Sequence, residues 1–173
     1  MSHEKEFETY FNRYYTSIGM YVMRMCDDVE ESEDIVQETF STVWEKFADK
    51  ELPTHLKSYL YRTAHNITID RLRHRNKNDM MVSLEDISQM ELTEEAIDTS
   101  ERDARLWIAI GKLPERCRQV FLLSKRDGLT HIEISQELGI SVKTVENQIT
   151  KAFKSLREVL DSSKGKVFFL PFL

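Results

Sequence analysis

Gly128–Phe153 reads GLTHIEISQELGISVKTVENQITKAF. Thr130-His131-Ile132-Glu133 fits the S/T-x-x-E box, in which hydroxyl and carboxylate satisfy each other's backbone N–H groups, so a helix starts at Thr130. Gly139 stands where a left-handed residue ends that helix, and Ser141 caps a second one. Val145, Ile149, Ala152 and Leu156 form the inner face of the second helix. The opposite face presents Lys143, Asn147, Lys151 and Lys154, at steps of four, four and three. Two short helices about a tight turn make a helix-turn-helix, whose second helix enters the major groove of DNA. Lysines suit phosphates and asparagine suits base edges. Glu146, which can accept from cytosine N4, flanks the stripe together with Gln148.

The chain as a whole is acidic, with net charge −6 over 173 residues and a pI near 5.4. The charge is segmented. Residues 1–56 carry −8, 57–77 carry +5, 78–101 carry −8 and 102–173 carry +5. At a screening length of ~8 Å a local basic face outweighs the net charge. The chain is 40% hydrophobic, enough for packed cores. It has no apolar run of membrane-spanning length. The charged start MSHEKEFETYFNRYY has no apolar signal core, and a cytoplasmic protein is expected. The two cysteines, Cys26 and Cys117, lie far apart and outside any CxxC pair, which predicts free thiols rather than a disulfide or zinc site.

Few glycines and prolines, with apolar residues at helical intervals, predict an all-α fold of two small helical domains. A helix over 4–25 carries Phe7, Phe11, Tyr14, Ile18, Tyr21, Val22 and Met25 on one stripe. CDDVEESED reads as a polar turn with Ser32 as N-cap. A second helix runs from Glu33 to Phe47 on Val36, Phe40, Val43 and Phe47. A third spans about Leu56–Arg75, with Leu60, Ala64, Ile67 and Leu72 inward. The acidic, weakly periodic 78–101 reads as a flexible linker. A second unit starts near Arg102, with helices at 103–112 and 115–127 separated by Leu113-Pro114, and runs to Asp161. The apolar tail 162–173, KVFFLPFL at its core, reads either as folded back on this unit or as a docking segment.

Two further faces carry polar patterns. Between 57 and 77, Arg62, Asn66, Asp70, Arg73 and Lys77 fall at steps of four, four, three and four, with Arg71 and Arg75 beside them. Tyr59, Tyr61 and the loop around Pro53 are expected to add aromatic and polar surface. That mixture suits a nucleic acid, including a single strand with an unstacked base. On the helix over 33–47, Asp34, Gln37, Glu38, Ser41 and Glu45 make an acidic outward face, which repels DNA and suits a basic protein surface. The five histidines form no HExxH motif, and no phosphate-binding glycine loop or nucleophile elbow occurs, so no enzyme and no cofactor are expected.

SEDIVQETFSTVWEKF resembles the helix by which bacterial sigma factors grip the RNA polymerase clamp. LKSYLYRTAHNITIDRLRHR resembles the adjoining helix that reads and melts the −10 promoter element. LPERCRQVFLLSKRDGLTHIEISQELGISVKTVENQITKAFKSLRE resembles the domain that reads the −35 element. The two-domain form is that of the extracytoplasmic-function (ECF) sigma factors. The resemblance implies polymerase contacts at Asp34, Gln37, Glu38, Ser41 and Glu45. It implies −10 contacts at Tyr59, Arg62, Asn66, Asp70, Arg73 and Lys77, with Asn66 and the loop before Leu56 holding a flipped base. It implies −35 contacts at Lys143, Thr144, Glu146, Asn147, Lys151 and Lys154. It gives an N-terminal sigma domain over 1–77, an acidic linker over 78–101 and a −35 domain over 102–161. The partners implied are core RNA polymerase, promoter DNA and an anti-sigma factor. The alternative is a helix-turn-helix regulator of the response-regulator effector type, whose SVKTVEN helix is similar. It would need an α/β receiver ahead of the motif.

Overall fold

The computed structural model describes residues 3–79 and 90–161, with the side chains of 76–79 and 161 left aside. The apolar tail 162–173 lies outside the described residues. Seven helices and no strand occur among the described residues: α1 (His3–Cys26), α2 (Val29–Phe47), α3 (Leu56–Asp79), α4 (Glu94–Gly111), α5 (Glu115–Lys125), α6 (His131–Leu138) and α7 (Val142–Asp161). They form two compact units, divided between Ala104 and Arg105.

In the first unit α1, α2 and α3 pack on one another. Ile18, Val22, Ile35, Val36, Val43, Leu56 and Leu60 are fully buried or nearly so. Each such side chain contributes about 1.5–3 kcal/mol by leaving water. The turn between α1 and α2 is shorter than the sequence suggests. Asp27 takes the left-handed conformation at φ 52°. Asp28, not Ser32, is the N-cap of α2, and its carboxylate accepts from the Glu31 N–H at 2.9 Å. The acidic run after it is therefore the first turn of the helix, where negative charge favours the helix dipole. Ser32 lies buried inside α2 against Cys26, with Oγ and Sγ 3.1 Å apart.

The linker expectation fails over its second half. Helix α4 begins at Glu94, with the Thr93 hydroxyl accepting from the Ala96 N–H at 3.1 Å. Met90, Leu92, Ala96 and Ile97 pack on the core of the first unit. Below them Ser100 is fully buried, and its hydroxyl meets that of Tyr61 at 2.9 Å. Lys57 pairs with Glu101 at 2.6 Å, and Arg24 pairs with Asp103. Glu94, Glu95 and Asp98 occupy the solvent side of an amphipathic helix whose inner side is Ile97, Ser100 and Ala104.

In the second unit α5 crosses α7. Cys117, Phe121, Ala152 and Leu156 share one cluster, and Val120, Ile134, Val145 and Ile149 share another. Phe121 meets Phe153 edge to face at 5.7 Å. Both cysteines are buried and free. Burial pushes the Cys117 thiol above its ordinary value.

Candidate nucleic-acid interface

In the second unit the helix-turn-helix closes as its sequence dictates. The Thr130 Oγ1 accepts from the Glu133 N–H at 3.3 Å, and a Glu133 carboxylate oxygen accepts from the Thr130 N–H at 2.8 Å. These hydrogen bonds hold the Glu133 carboxyl below the usual range. Gly139 ends α6 at φ 61°, a conformation that costs other residues a Cβ clash. The Ser141 hydroxyl then accepts from the Thr144 N–H at 3.1 Å and opens α7.

On α7, Val145, Ile149, Ala152 and Leu156 are buried, while Lys143, Glu146, Asn147, Lys151 and Lys154 are exposed. Lys143 and Glu146 pair at 3.2 Å. Lys151 and Lys154 have no ion-pair partner among the described residues. Thr144 differs from the rest: it is half-buried, and its hydroxyl lies 2.8 Å from that of Ser141, within the cap. Two exposed residues on the same side were missed by the sequence reading, Thr150 and Arg157. Steps of three from Asn147 and Lys154 would have found both. His131 is exposed at the start of α6.

In the first unit α2 turns Asp34, Gln37, Glu38, Ser41 and Glu45 to solvent along one ridge. Its edge toward α3 is neutralised, since Glu38 pairs with Arg71, and Glu31 with Arg75 at 2.9 Å. Arg71 and Arg75 are thus tied to α2 and do not extend the basic stripe. Arg62, Asn66, Asp70 and Arg73 are exposed on α3, with Asp70 and Arg73 at 3.7 Å. The Lys77 side chain lies outside the described residues.

Tyr59 is half-buried, edge-on to Phe47 at 5.4 Å, with the Lys46 ammonium 5.0 Å above its ring. Pro53, Thr54, His55, Ser58, Tyr59 and Arg62 line an open depression of about 340 Å³. The sequence singled out this loop but not Thr54, His55 or Ser58. Tyr61 offers no surface. It is fully buried edge-on to Tyr21, because positions 57, 61, 64 and 68 share the inward side of α3. Behind it Tyr21 and His65 share a hydrogen bond of 2.7 Å. Burial pushes the Tyr21 hydroxyl up to about 12 and holds the His65 imidazole below its ordinary value.

Two helical units, one with a capped helix-turn-helix and the other with an acidic ridge on α2 and a polar, basic stripe on α3, have the arrangement of a DNA-binding protein. The first unit contains helices where a receiver domain needs strands, which disfavours the response-regulator alternative. Residues 10–78 match Sigma-70 region 2, and residues 104–156 match Sigma-70, region 4. The chain is 32% identical over 159 residues to the ECF RNA polymerase sigma factor SigW of Bacillus subtilis (strain 168), covering 85% of this chain and 84% of that one. It is 30% identical over 139 residues to the RNA polymerase sigma factor NccH of Alcaligenes xylosoxydans xylosoxydans, covering 76% and 74%. Overlay on the solved structure of CnrH in complex with the cytosolic domain of CnrY gives a TM-score of 0.38 at 23% identity, over 94% of this chain and 92% of that one. The chain belongs to the ECF family of RNA polymerase sigma factors, which bind core polymerase and direct promoter recognition and transcription initiation.

Proposed function

We propose that the two units divide the work of initiation by face. The α2 ridge of Asp34, Gln37, Glu38, Ser41 and Glu45 docks on the polymerase clamp. The α3 stripe of Arg62, Asn66, Asp70 and Arg73, with Tyr59 and Lys77, takes the −10 strand. The depression beside Tyr59, whose lining residue Arg62 is one helical turn from Asn66, receives an unstacked base. Asn147, Lys151 and Glu146 face the −35 element, with Lys143 and Lys154 on phosphates and Thr144 acting by holding the start of α7. Supporting this division is the opposition of two exposed faces in one small unit, an acidic ridge on α2 and a polar, basic stripe on α3.

On this reading the polymerase-docking and −10 functions belong to 1–77 and the −35 function to 102–161, with 78–101 between them. The helical start at Glu94 gives the latter part of that connection a packing role as well. The protein acts in the cytoplasm without catalysing a reaction, and an anti-sigma factor silences it. Membership of the family supports both statements. No helix among the described residues is long and apolar enough to cross a membrane. The test of the division is holoenzyme assembly with the double variant Asp34→Lys/Glu38→Lys. It should lose core polymerase while keeping its helical content. Wild-type assembly by that variant would overturn the α2 assignment.

A further inference from the structure

On α1, His3, Phe7, Phe11 and Tyr15 recur every four residues and run along one edge of α2. His3 and Phe7 lie against Trp44, with ring centroids at 5.3 and 5.0 Å. Phe11 and Tyr15 lie against Phe40, at 4.9 and 6.0 Å. Phe40 is closed off, at 3% exposure, but Phe11 remains 38% exposed. Gln37 and Ser41, both exposed, sit one turn before Phe40 and directly after it on α2. An open aromatic shelf therefore continues the acidic ridge on the side away from Arg71 and Arg75.

We infer that Phe11, supported by Tyr15, is an apolar anchor for the same polymerase surface that meets the α2 ridge. This inference rests on the reading of α2 as the polymerase-docking helix. The composite face fits a partner with basic side chains for Asp34 and Glu45 and an apolar side chain to cover the Phe11 ring. Charge decides the occupant. DNA is repelled by the ridge, and a second copy would set acidic ridge against acidic ridge. The one lysine of α2, Lys46, lies off the ridge and is engaged over Tyr59. Half-exposed aromatic rings beside charged rims are the positions at which interfaces concentrate their binding energy.

Hydroxyl-radical footprinting of the wild-type protein, free and in holoenzyme, tests this without altering the fold. Oxidation of Phe11 and Tyr15 should fall on addition of core polymerase. In parallel, Phe11→Ala should weaken holoenzyme about tenfold, and Phe11→Leu should restore most of the affinity. Unchanged oxidation of Phe11, with Asp34→Lys/Glu38→Lys still losing polymerase, overturns the anchor and leaves the α2 reading intact. No loss in the charge-reversed variant overturns both. If Phe11→Ala unfolds, the wild-type footprint decides alone.

Discussion

Glu38 on α2 is ion-paired with Arg71 on α3, so one acidic residue of the proposed docking ridge also ties its helix to its neighbour. Both side chains are between a third and a half exposed, and such pairs contribute ~0–1 kcal/mol. The pair is thus a weak structural element. Arg71→Ala should shift the melting temperature little and leave holoenzyme assembly near wild type. Thermal melts and a core-polymerase titration check this. Assembly lost in Arg71→Ala would mean that Arg71 itself contacts the polymerase.

The Tyr61–Ser100 hydroxyl pair is the buried link between α3 and α4. The Ser100 hydroxyl also donates to the Ile97 carbonyl at 2.7 Å, so Tyr61→Phe leaves it satisfied. We expect a loss of about 0.5–1.5 kcal/mol, with faster amide exchange confined to 94–104. Denaturant unfolding with hydrogen exchange reads both. Unchanged exchange there would show that α4 does not depend on this contact.

His65 gives the first unit a pH dependence of defined sign. Burial holds its folded-state imidazole below the ordinary value, so the unfolded chain takes up the proton more readily. The stability contributed is complete above about pH 6.5 and is lost as pH falls through the lowered folded value. Between pH 7 and 5.5 the wild type should lose melting temperature, and His65→Gln should lose less. Parallel curves for the two proteins would remove His65 as the cause.

How much of this was legible in the sequence differs by element. Thr130, Glu133, Gly139 and Ser141 specify the helix-turn-helix by local hydrogen bonding, and local signals survive without knowledge of the fold. The exposed ridge and stripe on α2 and α3 followed from helical period alone. Ser32 looked like a cap because the left-handed turn at Asp27 is invisible in a run of polar residues. The start of α4 was hidden because Glu94, Glu95 and Asp98 read as linker, while Ile97 and Ala104 are too sparse a stripe to announce a buried face. Tyr61 was placed outside because aromatic residues in a basic helix suit both surface and core. Only the long-range contact with Ser100 decides between them.

On α7 the exposed residues should have separable roles. Asn147→Ala should relax preference at one upstream base pair, at about 1–3 kcal/mol. Lys154→Ala should weaken all promoters alike and lower the salt slope by about one unit. Holoenzyme binding to matched and scrambled −35 elements at several salt concentrations distinguishes them. Equal losses on both elements for Asn147→Ala would count against direct readout.

The central claim is that polymerase docking through α2 and promoter reading through α3 and α7 are joined in this one chain. Run-off transcription with purified core polymerase, with start sites mapped, tests it most directly. Discrete starts are expected with the wild type, none with Asp34→Lys/Glu38→Lys, and with Asn66→Ala a loss of open complexes despite intact holoenzyme. Discrete starts at wild-type yield from both variants would contradict it.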